Sequence, residues 1–192
     1  MSTAMKESWS TAQTIVRIDS PEKYSGVERI MLTAQGDLQR LLSAFFADVI
    51  TVEVLYTNNS PRNVPASPEK PIIQRRKVLL KCRGVVVCTA TSTVTLTSPE
   101  CERLILDDKF AIGQTFRQMK QVPAFALKDV EVVGFPSREE LRRTYTLTSP
   151  GIECEILEVF PSRRMFVNGD KWLAQRQRKN SEMDGSSGSG SE

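Results

Sequence analysis

Residues 72–82 and 85–97 alternate their side chains with the period of two that an extended strand requires, and they flank the turn pair Arg83-Gly84. In the first segment Val78, Leu80 and Cys82 share a face with Arg76, opposite Arg75, Lys77 and Lys81. In the second, Val86, Cys88, Ala90, Ser92, Val94 and Leu96 face one way, and Thr89, Thr91, Thr93, Thr95 and Thr97 the other. A sheet with one buried and one solvated face follows. Residues 152–160 repeat the pattern, with Glu158 on the face of Ile152, Cys154, Ile156 and Phe160. Arg76 and Glu158 are thus charges pointing inward. An isolated ion in an apolar interior is costly enough that each needs a partner or a task.

The rest of the chain supplies a setting for them. Leu38, Leu41, Leu42, Phe45 and Phe46 recur at helical spacing, so a helix is expected over about 35–47, capped by Thr33 or Asp37. A strand over 48–57 would place Ile50, Val52, Val54 and Tyr56 on one face. The proline-rich stretch 58–71 reads as a loop long enough to act as a flap. Ser98-Pro99-Glu100 opens a helix running to about 107, and a second begins near Ile112-Gly113 and ends before Pro123. An extended segment over 125–133, a loop or short helix over 138–142, and a strand over 141–148 come next. That last strand carries Leu141, Arg143, Tyr145 and Leu147 on one face, and Ser149-Pro150-Gly151 turns it into the Glu158 strand. Strands joined by turns, with helices inserted in blocks, indicate an α+β fold on an antiparallel sheet.

Residues 1–29 give a weak pattern, with a short helix expected near 21–30. Residues 30–165 form the expected domain, and 166–192 a basic and then Gly/Ser-rich flexible tail, with Trp172 and Leu173 able to anchor a short surface helix. At 192 residues and 40% apolar content the chain suits one core. No apolar run reaches the roughly 20 residues needed to span a bilayer, and the first residues lack a signal-peptide apolar region. The expected setting is cytoplasmic, without a membrane partner. A formal charge of +3, from 26 basic and 23 acidic residues, is too balanced to argue for nucleic acid.

Cys82, Cys88, Cys101 and Cys154 form no CxxC pair, and the chain has no histidine. Buried free thiols are the plain reading of the four. The missing histidine excludes Ser-His-Asp and Cys-His nucleophilic systems, histidine general bases and histidine-ligated metals. No metal or cofactor is expected. For Arg76 and Glu158 two readings stay open on residue pattern alone. One is an internal salt bridge, with Arg143 as a further participant. The other is a cavity in which Arg76 holds a carboxylate and Glu158 meets a hydroxyl or a proton.

Several strings resemble the chorismate lyase family: residues 32–56, Arg76-Lys77-Val78-Leu79-Leu80, Ala90-Thr91-Ser92-Thr93-Val94, Phe110-Ala111-Ile112-Gly113, Arg142-Arg143-Thr144-Tyr145 and Glu158-Val159-Phe160-Pro161. Their order and spacing, across about residues 30–165, carry the resemblance. It implies a single antiparallel sheet with helical flaps enclosing a buried ligand cavity. It also implies cofactor-free elimination of pyruvate from chorismate to give 4-hydroxybenzoate. In this resemblance Arg76 binds a carboxylate, Glu158 contacts the ring-hydroxyl end, and the backbone at Ile112 and Gly113 closes the site. The family's second active-site Arg is matched here by Thr91 or Ser92, of which Ser92 faces inward. One Arg fewer binds a dianion less well, and Arg143 is the candidate to compensate. A cofactor-free cyclase or pericyclase taking a less charged substrate, and a non-catalytic small-molecule-binding module, are the competing expectations. Monomer and homodimer both stay open.

Overall fold

The computed structural model describes residues 5–10, 12–135 and 139–186. Its centre is a six-stranded antiparallel sheet built from β3 (Ile50–Asn59), β4 (Ile72–Cys82), β5 (Val85–Leu96), β6 (Ala124–Val133), β7 (Glu140–Ser149) and β8 (Ile152–Phe160). The strand order is β3-β4-β5-β8-β7-β6, so β8 is inserted between β5 and β7. A separate hairpin, β1 (Met5–Trp9) and β2 (Thr14–Ile18), precedes it in a stretch without a clear residue pattern. The architecture is α+β, as the turn-linked strands implied.

Alternation sorts β7 and β8 as expected, but at the start of β5 Val85 and Val87 are buried and Val86, expected on the inner face, is only partly so. On β8, Ile152, Cys154, Ile156, Glu158 and Phe160 are buried, and on β7 so are Leu141, Arg143, Tyr145 and Leu147. The β4–β5 hairpin turns at Arg83 and Gly84, both at positive φ (49° and 79°), the left-handed pair that tight hairpins favour. A register shift between Leu80 and Lys81 leaves Val87 as an extra residue on β5 and sets Arg76 opposite Ser92. A second bulge, at Leu55, corrects the expected face of Tyr56. Val54 stands opposite Val78, but Tyr56 stands opposite Lys77 and so joins the outer face. As the edge strand, β3 stays exposed beyond Ile50.

Helices close the inner face. α1 (Gly26–Leu32) begins with a capping box between Ser25 and Glu28. α2 (Leu38–Phe46) starts later than expected, because Thr33 ends α1 and Asp37 makes no capping bond. Phe45 and Phe46 of α2, Phe160 of β8 and Phe166 of α5 (Arg164–Asn168) meet with ring centroids 4.8 to 6.0 Å apart. Residues 164–168 and 170–186 are helical, where fading order or a short surface helix was expected. α6 (Asp170–Ser186) buries Trp172 and Leu173 as anchors and is mostly polar and exposed over 175–182. The expected Gly/Ser-rich tail lies outside the described residues from 187 onward, as does Arg138 of the expected 138–142 loop. Glu140 to Arg142 of that segment are strand.

The 58–71 segment is no flap over the cavity described below. Its residues beyond β3 are held on α3 (Pro99–Glu102) and the π-helical turn that continues it, Arg103–Asp107. Arg62 bridges Glu102 and Asp107 at 2.8 Å each, and Glu102 also accepts from the backbone N–H of Ala66 at 2.8 Å. Ser98 caps this helix through Cys101, as its sequence implied.

α1 is fixed to the start of α5 by Arg163, which reaches both oxygens of Glu28, at 2.6 and 3.0 Å. Burial pushes the Glu28 carboxyl up, but the bonds from Arg163 and from Ser25 more than offset it and hold the pKa below its ordinary value of 4.5. A depressed folded pKa stabilises fully above the unfolded value and is lost as pH falls through the folded one. Glu28→Gln should therefore be less stable near neutral pH. It should also lose less of its stability down to about pH 4, a comparison that urea unfolding at the two pH values makes.

Candidate active site

Strand register decides which inward charges meet. The two-residue turn between β7 and β8 sets Ser149 opposite Ile152, and counting back along both strands sets Arg143 opposite Glu158. Arg143 Nε donates to Glu158 Oε2 at 2.6 Å, and the Tyr145 hydroxyl donates to Glu158 Oε1 at 2.9 Å. Arg143 is wholly buried, with its guanidinium carbon 4.5 Å from the Tyr145 ring centre. Its Nη1 lies 2.7, 3.0 and 2.9 Å from the carbonyl oxygens of Met31, Leu32 and Ala34, so two N–H bonds serve three acceptors at the C-terminal end of α1. That end carries partial negative charge and favours a cation. Burial alone would lower the Arg143 pKa, but Glu158 more than offsets it and the net direction is up. Burial and then Glu158 push Tyr145 well above the ordinary phenol value, which keeps it a donor.

Arg143 therefore belongs to the frame rather than to the ligand. Its assignment as a compensating carboxylate binder meets an Nε committed to Glu158 and an Nη1 committed to α1, outside the cavity lining; Nη2 is buried without a hydrogen-bond partner among the described residues. Arg76 is the charge left over. It is half-buried, stands opposite Thr57 on one side and Ser92 on the other, and makes no hydrogen bond or ion pair among the described residues. Burial lowers its pKa, the mark of a cation deprived of water without a partner in exchange.

Arg76 and Glu158 line one cavity of about 130 Å³. On an ideal sheet their Cα positions, two strands and two residues apart, lie about 12 Å from each other. The floor consists of Val78 and Leu80 from β4, Ala90 and Ser92 from β5, Ile156 from β8, and Tyr145 and Leu147 from β7, with Val52 at the β3 edge. The remaining lining comes from Gly36, Leu38 and Gln39 at the start of α2, and from Ala111, Ile112 and Gly113 at the start of α4 (Ile112–Gln118). These two segments nearly touch. A Cβ on Gly113 would lie 3.2 Å from the Gly36 carbonyl oxygen, and Gly36 itself sits at φ 88°, where a side chain is strained.

The structure thus gathers Arg76, Ser92, Ile112, Gly113 and Glu158 around one space and leaves Arg143 behind it. The Ser92 hydroxyl makes no hydrogen bond among the described residues and is available to a ligand. Tyr145 was legible as an inward residue but not as a partner of Glu158. Hairpin counting from Pro150-Gly151 finds Arg143 opposite Glu158 but sets Tyr145 opposite Ile156, so its diagonal reach to Glu158 shows only in the structure. Gly36, Leu38 and Gln39 carry no sequence signal that points to a site more than 100 residues downstream, at Glu158.

The cysteines play no part as nucleophiles. All four are free and buried, and burial pushes Cys154 up to about 12 and Cys82, Cys88 and Cys101 upward. A charged thiol reagent should label none of them in the native protein and all four after denaturation. Among the described residues no His/Cys/Asp/Glu group is arranged to hold a metal, and no helix is long and apolar enough to cross a membrane. No family model matches this chain and no curated protein matches it, so the identity of the cavity's ligand rests on the geometry of Arg76, Ser92 and Glu158.

Proposed function

We propose that this chain is a cofactor-free enzyme of the chorismate lyase type, acting on a small unsaturated ring carboxylic acid with chorismate as the first substrate to test. One observation carries the reading: an unpartnered, half-buried Arg76 and a carboxylate, Glu158, at two ends of one apolar cavity. Arg76 would take the ring carboxylate through a two-pronged bond, with the Ser92 hydroxyl as a second donor. Glu158, already oriented by Arg143 and Tyr145, would accept from a ring hydroxyl at the far end. At about 130 Å³ the cavity is smaller than the roughly 150 Å³ that admits benzene, so a substituted ring enters only if the segments at Gly36 and Gly113 move apart.

The reaction needs little beyond this. The ring C–H at the hydroxyl-bearing carbon and the neighbouring C–O ether bond break, and the third ring double bond forms. The hydrogen ends on the methylene carbon of the departing enolpyruvyl group, which leaves as pyruvate. Atoms and electrons balance without an oxidant or added base. The protein's contribution is to fix the side chain over the C–H bond and to exclude water with Val78, Leu80, Leu147 and Ile156. Incubation of purified protein with chorismate should release 4-hydroxybenzoate and pyruvate in equal amounts, detected by chromatography. No product above the uncatalysed background removes chorismate as the substrate.

The commitment of Arg143 to Glu158 supports a second reading. With one free cation in the cavity, a substrate with one carboxylate is better matched than a dianion, as for a cofactor-free cyclase or pericyclase. Metabolite profiling of a deletion strain would test it, whereas tight binding without any turnover would favour a non-catalytic binding module.

A further inference from the structure

A second concave site lies away from this cavity, between the β6–β7 end of the sheet and the last two helices. We propose that it binds the phosphate group of a small phosphorylated molecule. The groove has a volume of about 630 Å³, inside the usual range for small-ligand pockets of roughly 300–1,000 Å³. Arg142 enters it from β7, Arg164 from α5, and Arg176 and Lys179 from α6. Glu140 is its single acidic lining residue and is already paired with Arg142 at 2.8 Å.

Arg164, Arg176 and Lys179 have no ion-pair partner among the described residues. The whole chain has a formal charge of only +3, so three unpaired cations from two separate helices in one groove are a local concentration of charge. Such convergence destabilises the folded chain by self-repulsion unless an anion offsets it. Arg176 is also held in place, with its guanidinium carbon 5.5 Å from the centre of the buried Trp172 ring.

The chemistry of the lining selects phosphate. A phosphate monoester brings nearly two negative charges and three acceptor oxygens, which three cations can share, and guanidinium forks match it in two-pronged geometry. Ser162, Asn168 and Gln175 add neutral polar groups around the rim. Trp172 is only 6% exposed beneath Arg176, so no open aromatic face is left on which a base could stack. The groove is therefore suited to the phosphate rather than to a nucleobase, and its concavity suits a compact ligand rather than a nucleic-acid duplex or a membrane.

Isothermal titration with inorganic phosphate and with glycerol 3-phosphate, against sodium chloride at matched ionic strength, tests this. At least one of the two should bind saturably, and their relative affinities distinguish free phosphate from a phosphorylated metabolite. Arg164→Gln combined with Arg176→Gln and Lys179→Gln should weaken binding about tenfold or more. Arg75→Gln with Lys77→Gln, on the outer sheet face, should leave it unchanged. All these groove side chains are exposed, so the melting curve should show an intact fold. Absence of saturable binding, or equal affinity in the groove variant, overturns the proposal. So does a single-stranded RNA that binds when neither phosphate compound does.

Discussion

Arg76→Met is expected to remove carboxylate binding, by about 100-fold or more, while leaving the protein at least as stable as before. The binding loss follows from deleting the single unpaired cation in the cavity. A hydrogen bond to a charged group contributes roughly 1.5–3 kcal/mol, and a two-pronged guanidinium supplies two of them. The stability outcome follows from what Arg76 lacks. It makes no ion pair or hydrogen bond among the described residues, and burial disfavours its charged form. Methionine fills similar volume beside Val78 and Ser92 without that penalty. Calorimetry with 4-hydroxybenzoate and a thermal melt read the two effects separately. Unchanged ligand binding would sink the site reading. A marked fall in melting temperature would show that Arg76 supports the fold instead.

Arg143→Met should do the opposite, and with the largest effect on stability of any substitution considered. Removing one partner of a buried ion pair costs about 3–5 kcal/mol, a large part of the roughly 5–15 kcal/mol that holds a domain together. Here the loss is compounded. Glu158 keeps only the Tyr145 hydroxyl, and the carbonyls of Met31, Leu32 and Ala34 lose a charged donor, Met31 keeping the N–H of Ala34. Arg143→Lys should rescue little, because a single ammonium cannot reach Glu158 and the end of α1 together. Combining Arg143→Met with Glu158→Leu should recover part of the loss, since replacing both members of a buried pair by apolar groups is often near neutral. Urea unfolding of the four proteins measures this. A loss under about 1 kcal/mol for Arg143→Met would contradict the role assigned to it.

The contrast between these two arginines shows what local pattern can and cannot say. Both were legible as inward, because the side of a strand on which a residue lies depends only on its neighbours. Their partners were partly legible. The Pro150-Gly151 turn fixes Arg143 opposite Glu158 by counting, an inference within reach of the sequence. The β4–β5 hairpin is subtler. A two-residue turn at Arg83-Gly84 would by itself set Arg76 opposite Thr91, which lies on the wrong face. The bulge at Val87 reconciles the turn with the two buried faces and brings Ser92 beside Arg76. The lining from Gly36 to Gln39 had no such rule behind it, because helix packing across the sheet is not written in any local spacing. For α6 the two anchors, Trp172 and Leu173, were legible, and what the weak amphipathic pattern hid was the length of the helix beyond them.

The sequence alone determined the α+β class, the strand faces away from the bulges at Leu55 and Val87, the inward positions of Arg76, Arg143 and Glu158, and the absence of histidine chemistry. Each is a property of short stretches of chain or of composition. Only the tertiary structure decided that Arg76 is left without Glu158 and shares a cavity with it. The order β3-β4-β5-β8-β7-β6 sets β7 directly against β8 and leaves β4 two strands away, so Arg143 makes the ion pair and Arg76 keeps its charge for the cavity. The physical reason is the steep dependence of an ion pair on separation: a contact at 2.6 Å is strong, while a site two strands off is left to whatever ligand can reach it.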